Sequence, residues 1–209
     1  MIERTAVILL AGGLSSRMGR DKANLRLQGR TQLDHLLETL EPLVSESIVM
    51  LADQQAMPEL TTKLKHTVKI GRDRVAQQGP LQGIADALPL IASQIERVLV
   101  VTCDLPYLSL EWLRALHNAL QGDVDAVCTL AGGYKNALLG CYRKKVLEKA
   151  PEILLEGKKR PVFLWEGSNV LFLEPAPDKL LNCQDMNTPE EYQKAQEFFS
   201  AKAEFSETI

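Results

Sequence analysis

The sequence predicts a three-layer α/β/α fold with a mainly parallel central sheet. Three observations carry that expectation. Short apolar runs rich in β-branched residues alternate with helix-length stretches along the chain. The runs are apolar at consecutive positions, as strands buried on both faces of a parallel sheet are. A polar, glycine-rich segment follows the first run directly, where α/β proteins place their ligand loops.

The elements follow in order. Residues 4–10 (RTAVILL) form the first buried strand, and the glycine-rich stretch 11–24 leaves it. Leu33, Leu36, Leu37 and Leu40 repeat at helical spacing, and Pro42 marks the end of that helix. Residues 47–52 and 66–70 make the second and third strands. After Gly79-Pro80, the stripe Leu81, Ile84, Ala85 and Leu88 reads as a helix. Residues 96–101 are the fourth strand and end at Thr102-Cys103-Asp104. Trp112, Leu113 and Leu116 mark the next helix, and 124–130 the fifth strand. Further strands are expected at 138–142 and 170–173, with a helix to about Pro151 between them and a basic turn at Lys158-Lys159-Arg160-Pro161. The string Asn187-Thr188-Pro189-Glu190-Glu191 is a helix start: threonine caps, proline takes the first helical position and acids fill the first turn. No repeat or long linker interrupts 1–209, so a single domain is expected, with a nucleotide-binding half over 1–107 and an acceptor-binding half over 108–209.

Composition narrows the function classes. Hydrophobic residues at 45% suffice for a core, and no apolar run reaches the roughly 18 residues of a membrane span. The start of the chain lacks a signal peptide's basic region and cleavage site, which fits a cytoplasmic protein. A net charge of -3 offers a nucleic-acid backbone no global attraction. Cys103, Cys128, Cys141 and Cys183 form no CxxC pair and fit a reducing compartment, and no zinc spacing exists among His35, His66 and His117.

Four segments are candidates for chemistry. The first is Leu10-Ala11-Gly12-Gly13-Leu14-Ser15-Ser16-Arg17-Met18-Gly19-Arg20-Asp21-Lys22. Its glycines let backbone N–H groups approach phosphates, and Arg17, Arg20, Lys22, Arg26 and Arg30 oppose only Asp21 over 17–30. The spacing matches neither a P-loop nor GxGxxG. The second is Cys103-Asp104-Leu105-Pro106, where a strand-end carboxylate can hold Mg²⁺ or simply cap the following helix. The third runs from Asp73 to Ile84. Asp73 can accept hydrogen bonds from a base or ribose, or the segment is a plain loop before a proline-initiated helix. The fourth, Asp185-Met186-Asn187-Thr188-Pro189-Glu190, caps a helix and can add a polar contact to metal or phosphate through Asp185 or Asn187.

These strings resemble the bacterial molybdenum cofactor guanylyltransferases, the MobA family of α/β nucleotidyltransferases. The resemblance rests on LAGGLSSRMGRDK at 10–22, GPLQGI after Asp73, CDLP at 103–106 and NTPEEY at 187–192, and covers nearly the whole chain. It implies a Rossmann-like nucleotidyltransferase fold and transfer of GMP from GTP to molybdopterin carrying molybdenum, with release of pyrophosphate. It implies nucleotide contacts through the backbone of Leu10, Ala11 and Gly12, a loop completed by Gly13 and Arg17, phosphate binding by Lys22 and a nucleoside contact at Asp73. Gly79 is counted with the nucleotide site. Asp104 would ligate Mg²⁺, and Arg17, Lys22 and Asp104 form the expected catalytic set. It also implies a cytoplasmic reaction and transient contact with cofactor-delivery proteins or molybdoenzymes. Leu51 stands where members place an asparagine that contacts nucleotide.

The alternatives are a cytidylyltransferase on the same pterin, a sugar- or alcohol-phosphate nucleotidyltransferase, and a nucleotide-binding adaptor. Gly12-Gly13 favours a purine, since the Leu-Ala-Ala-Gly of cytidine-using relatives adds a methyl that would crowd it. Retention of Asp104 favours catalysis over binding alone.

Overall fold

β1 (Thr5–Leu10) is the axis of the molecule, with all six residues buried. Its side chains alternate between two apolar layers: Val7 and Leu9 enter one, Ala6, Ile8 and Leu10 the other. A strand that must satisfy two layers has no polar face, which is why 6–10 reads as an unbroken apolar run. The computed structural model describes residues 4–12, 22–74 and 78–206, with side chains to residue 201.

After a 3₁₀ turn at Lys22–Asn24, β2 (Arg26–Leu27) and β3 (Arg30–Thr31) form a small antiparallel hairpin. Its two-residue loop, Gln28-Gly29, has φ of 51° and 77°, the two positive values of a tight hairpin turn. No periodicity marks this hairpin in the sequence, and Gln28-Gly29 between short flanks is its local signal. α1 (Gln32–Leu40) starts at Thr31, whose Oγ1 accepts from the Asp34 N–H at 3.0 Å, and ends before Pro42 as expected.

β4 (Glu46–Leu51), β5 (Thr67–Arg72), α2 (Pro80–Ala87) and β6 (Arg97–Thr102) follow. Then come α3 (Leu110–Ala119), β7 (Ala126–Ala131) and β8 (Tyr134–Arg143). The sheet order is β5-β4-β1-β6-β8-β7, with β9 (Val170–Leu173) at the far edge. β5, β4, β1 and β6 are mutually parallel, β8 is antiparallel to both β6 and β7, and β7 pairs parallel with β9. The result is a mixed, mostly parallel sheet. The antiparallel β8 joins strands from the two halves of the sequence, through Leu99 opposite Cys141.

One correction concerns 144–155. The expected helix ending near Pro151 is two short helices, α4 (Lys144–Leu147) and α5 (Ala150–Leu155). Pro151 lies in the first turn of α5, where its missing N–H costs nothing, so it opens a helix instead of closing one. α1 and α3 pack on one face of the sheet; α2, α4 and α5 pack on the other. α6 (Pro189–Ser206) lies outside both layers and seats on the hairpin, where Leu25, Leu27, Met186 and Ala195 are buried together. Tyr192 Oη also donates to the Arg26 carbonyl at 2.8 Å. All four cysteines are free thiols. No helix among the described residues is long and apolar enough to cross a membrane.

Candidate active site

The carboxyl ends of β4, β1 and β6 open into a cleft of about 710 Å³. Parallel strands deliver their last residues to one edge, so three segments far apart in sequence meet there. Leu10, Ala11, Gly12, Lys22, Asp73, Gly79 and Asp104 all line it. Gly13 and Arg17 lie outside the described residues.

β1 contributes Ala11 and Gly12. Their N–H groups both donate to the Met50 carbonyl at 2.9 Å, and the Leu10 carbonyl accepts from Cys103 N–H at 3.0 Å. Those backbone groups therefore already bridge β4, β1 and β6. A Cβ on Gly12 would stand 2.6 Å from the Ala52 nitrogen and 3.0 Å from the Leu51 carbonyl carbon. The chain's own backbone therefore leaves no room for a side chain at Gly12.

At the β6 end, Lys22 Nζ donates to Asn187 Oδ1 at 2.5 Å and lies 3.5 Å from Asp104 Oδ2. Asn187 Nδ2 donates to Asp185 Oδ2 at 2.5 Å. The Met186 N–H donates to the Asp104 carbonyl at 2.8 Å, which ties the approach to α6 to the end of β6. Asp104 does not cap the next helix: Ser109 does, accepting from the Trp112 N–H. Its carboxylate is turned to Lys22 instead. α6 begins with the expected cap, made reciprocal: Glu191 Oε2 accepts from the N–H groups of Asn187 and Thr188, and Thr188 Oγ1 accepts from the Glu191 N–H. That clasp aims Asn187 at Lys22. Asn187 thus belongs to the site as well as to the cap.

Asp104 and Asn187 offer oxygen donors beside Lys22, and Asp185 adds a carboxylate bonded to Asn187. No cluster of three or more His, Cys, Asp or Glu occurs among the described residues. One or two carboxylates completed by water and substrate phosphates is the way Mg²⁺ is ordinarily held, so the donor set fits that ion.

At the β5 end, Asp73 hangs from β4 through its N–H to the Leu51 carbonyl at 2.9 Å. Burial, and then the nearby Asp86 carboxylate, hold its carboxyl above the ordinary value. Asp86 is itself held by the Arg74 side chain and N–H and by Gln82. Gly79 is the N-cap residue of α2, whose first turn faces the cleft. Leu51 is fully buried in the layer with α1 and α3 and does not line the cleft.

The model of the MobA-like NTP transferase domain matches residues 7–170. The chain belongs to the MobA-like NTP transferase family. Curated relatives agree over nearly full length. A Bacillus cereus protein named "Probable molybdenum cofactor guanylyltransferase" is 32% identical over 206 residues, covering 96% of this chain and 100% of the relative. A Carboxydothermus hydrogenoformans protein of the same name is 32% identical over 207 residues, with the same coverage. Among solved structures, molybdopterin-guanine dinucleotide biosynthesis protein A from Archaeoglobus fulgidus superposes with a TM-score of 0.74 at 22% identity, over 94% of this chain and 99% of that one. The family and fold make the protein a nucleotidyltransferase, and membership implies use of a divalent metal.

Proposed function

We propose that the protein transfers GMP from GTP to the terminal phosphate of molybdopterin carrying molybdenum, releasing pyrophosphate. The observation that carries this reading is the meeting of Lys22, Asp104 and Asn187 at one end of the cleft. The names of relatives 32% identical over nearly the whole chain supply the substrate pair.

The acceptor's phosphate oxygen attacks the α-phosphorus, and pyrophosphate leaves in line. The acceptor phosphate is ionised near neutral pH, so no general base is needed. The protein's work is positioning and charge stabilisation. Lys22 exchanges its long contact with Asp104 for the triphosphate, while Asn187 keeps the ammonium in place. Arg17, outside the described residues, is assigned to the same phosphates. Asp104 would hold Mg²⁺, which when bound neutralises phosphate charge, and Asp185, on Asn187, is available for a further polar contact. Asp73 accepts from the nucleoside. The reaction is assigned to the cytoplasm, before delivery of the product to molybdoenzymes.

The test is turnover by the purified protein with Mg²⁺, molybdenum-loaded molybdopterin and GTP, CTP, ATP or UTP supplied separately. The expected result is a GMP–pterin dinucleotide, identified by mass, with matching pyrophosphate. A CMP–pterin product would keep the site and overturn the base; no product from any nucleotide would overturn the acceptor.

A further inference from the structure

The wall of the cleft after β4 is held by an arrangement that neither the cap nor the phosphate site explains. Arg72 Nη1, at the end of β5, donates to three backbone carbonyls: Ala52 at 3.0 Å, Asp53 at 2.8 Å and Gln55 at 2.8 Å. Gln55 closes the same turn from inside. Its Oε1 accepts from the Ala52 N–H at 3.0 Å, and its Nε2 donates to the Ala11 carbonyl at 3.1 Å. The Gln55 N–H also donates to the Ala52 carbonyl at 3.1 Å. The three carbonyls are thereby occupied by Arg72, and Asp53 and Gln54 line the cleft. Both are exposed, and neither side chain has a hydrogen-bond partner among the described residues.

The position along the sheet edge matters as much as the clamp. β4, β1 and β6 are adjacent in that order, so Asp53 after β4 and Asp104 after β6 are two strand spacings apart, roughly 10 Å. Lys22 is at the β6 end, and Asp53 and Asp73 are at the β4–β5 end. The β6 end pairs its carboxylate with Lys22 and is assigned the Mg²⁺, whereas the β4–β5 end presents carboxylates without a lysine, so the triphosphate is drawn to Lys22. A bound nucleotide therefore runs along the edge with its base toward the clamped turn.

We propose that the Ala52–Gln55 turn is the base-selecting wall of this cleft, with the Asp53 carboxylate reading the base and Arg72 acting as the positioning residue. The inference rests on the nucleotide-transfer reading above and deepens it. A carboxylate is acceptor-only and has two parallel oxygens. Guanine presents two parallel donors on its Watson–Crick edge, N1–H and N2–H. Adenine and cytosine each present a donor beside an acceptor, which a carboxylate meets with one bond and one repulsion. Guanine therefore pairs both carboxylate oxygens, and a base lacking one of the two donors leaves one oxygen without a bond.

The experiment is equilibrium binding of GTP, ITP, ATP and CTP with Mg²⁺ to the full chain and to Asp53→Ala, Arg72→Ala and Arg72→Lys. Thermal unfolding is followed in parallel to establish that each variant is folded. Inosine lacks only the N2 amino group. The wild-type chain is expected to bind GTP at least about tenfold more tightly than ITP. Asp53→Ala brings that ratio close to one, by weakening GTP much more than ITP. Arg72→Ala lowers the same ratio without removing the reading group, and Arg72→Lys restores part of it. A GTP/ITP ratio unchanged in Asp53→Ala, with the wild-type preference intact, overturns this inference and leaves the proposed function standing. A wild-type chain that binds GTP and ITP equally overturns this inference alone, and one that binds ATP or CTP more tightly than GTP overturns both. A ratio unchanged in a folded Arg72→Ala chain overturns the positioning role.

Discussion

Lys22 and Asn187 stand 165 positions apart in the chain and 2.5 Å apart at the site, Nζ to Oδ1. The link depends on a hairpin that seats α6, a capping clasp that orients Asn187 and a strand end that presents Asp104. It is the point where the two halves of the sequence become one site.

Removing Asn187 tests that link. Asn187→Ala leaves Lys22 with only the 3.5 Å contact to Asp104 among the described residues. A hydrogen bond to a charged group contributes about 1.5–3 kcal/mol, so kcat/KM for GTP is expected to fall on the order of tenfold to a hundredfold. Steady-state kinetics check this. An unchanged kcat/KM would make Asn187 a capping residue only.

Asp104→Asn keeps the shape of the β6 end and removes the charge offered to metal. Turnover is expected to drop by about two orders of magnitude or more, with the unfolding midpoint nearly unchanged, because Asp104 is partly exposed and its ion pair is long. Chelation of divalent metal should abolish turnover of the wild-type chain. Near-wild-type turnover of Asp104→Asn at low Mg²⁺ would remove Asp104 from the metal site.

Gly12→Ala places a methyl group against the Ala52 nitrogen. Neither partner is the end of a flexible side chain, so the strand ends must shift. The expected loss of stability is about 1–3 kcal/mol, as for other overpacked sites, read by urea unfolding. A variant as stable as wild type would show that the β1–β4 edge yields at no cost.

Asp73 carries a pH dependence. Burial, and then Asp86, raise its folded pKa above the unfolded one, so the folded chain binds more protons between the two values. Stability contributed by this group therefore falls as pH rises through that window and stays lower above it. Asp73→Asn should raise the unfolding temperature at pH 7 relative to wild type, and the gain should vanish on acidification below the ordinary carboxylate pKa. The same variant should bind GTP more weakly. A stability gain independent of pH would sink the linkage.

The alternation of apolar runs and helical stripes was enough to place β1, β4 and β6, because a doubly buried strand has no polar face to disguise it, while β5, half-buried at the sheet edge, was marked only by its short run at 66–70. Thr188-Pro189 announced α6 for an equally local reason. The hairpin at Arg26–Thr31 is two residues per strand, too short for any periodicity. Pro151 was ambiguous because proline both ends helices and begins them. The clamp by Arg72 was invisible, since its partners are backbone carbonyls, which no side-chain pattern marks.

By itself the sequence determined the layers, the parallel strands and the edge at which chemistry collects, because hydrophobic periodicity and capping are properties of neighbouring residues. Only the tertiary structure decided which distant groups share that edge. It turned Asp104 to Lys22 instead of to a helix N-terminus, brought Asn187 to the same lysine, and gave Gly12 its reason in the Ala52 backbone. Those relationships are distances between strand ends, set by sheet order and by the seat of α6, and no local rule encodes them.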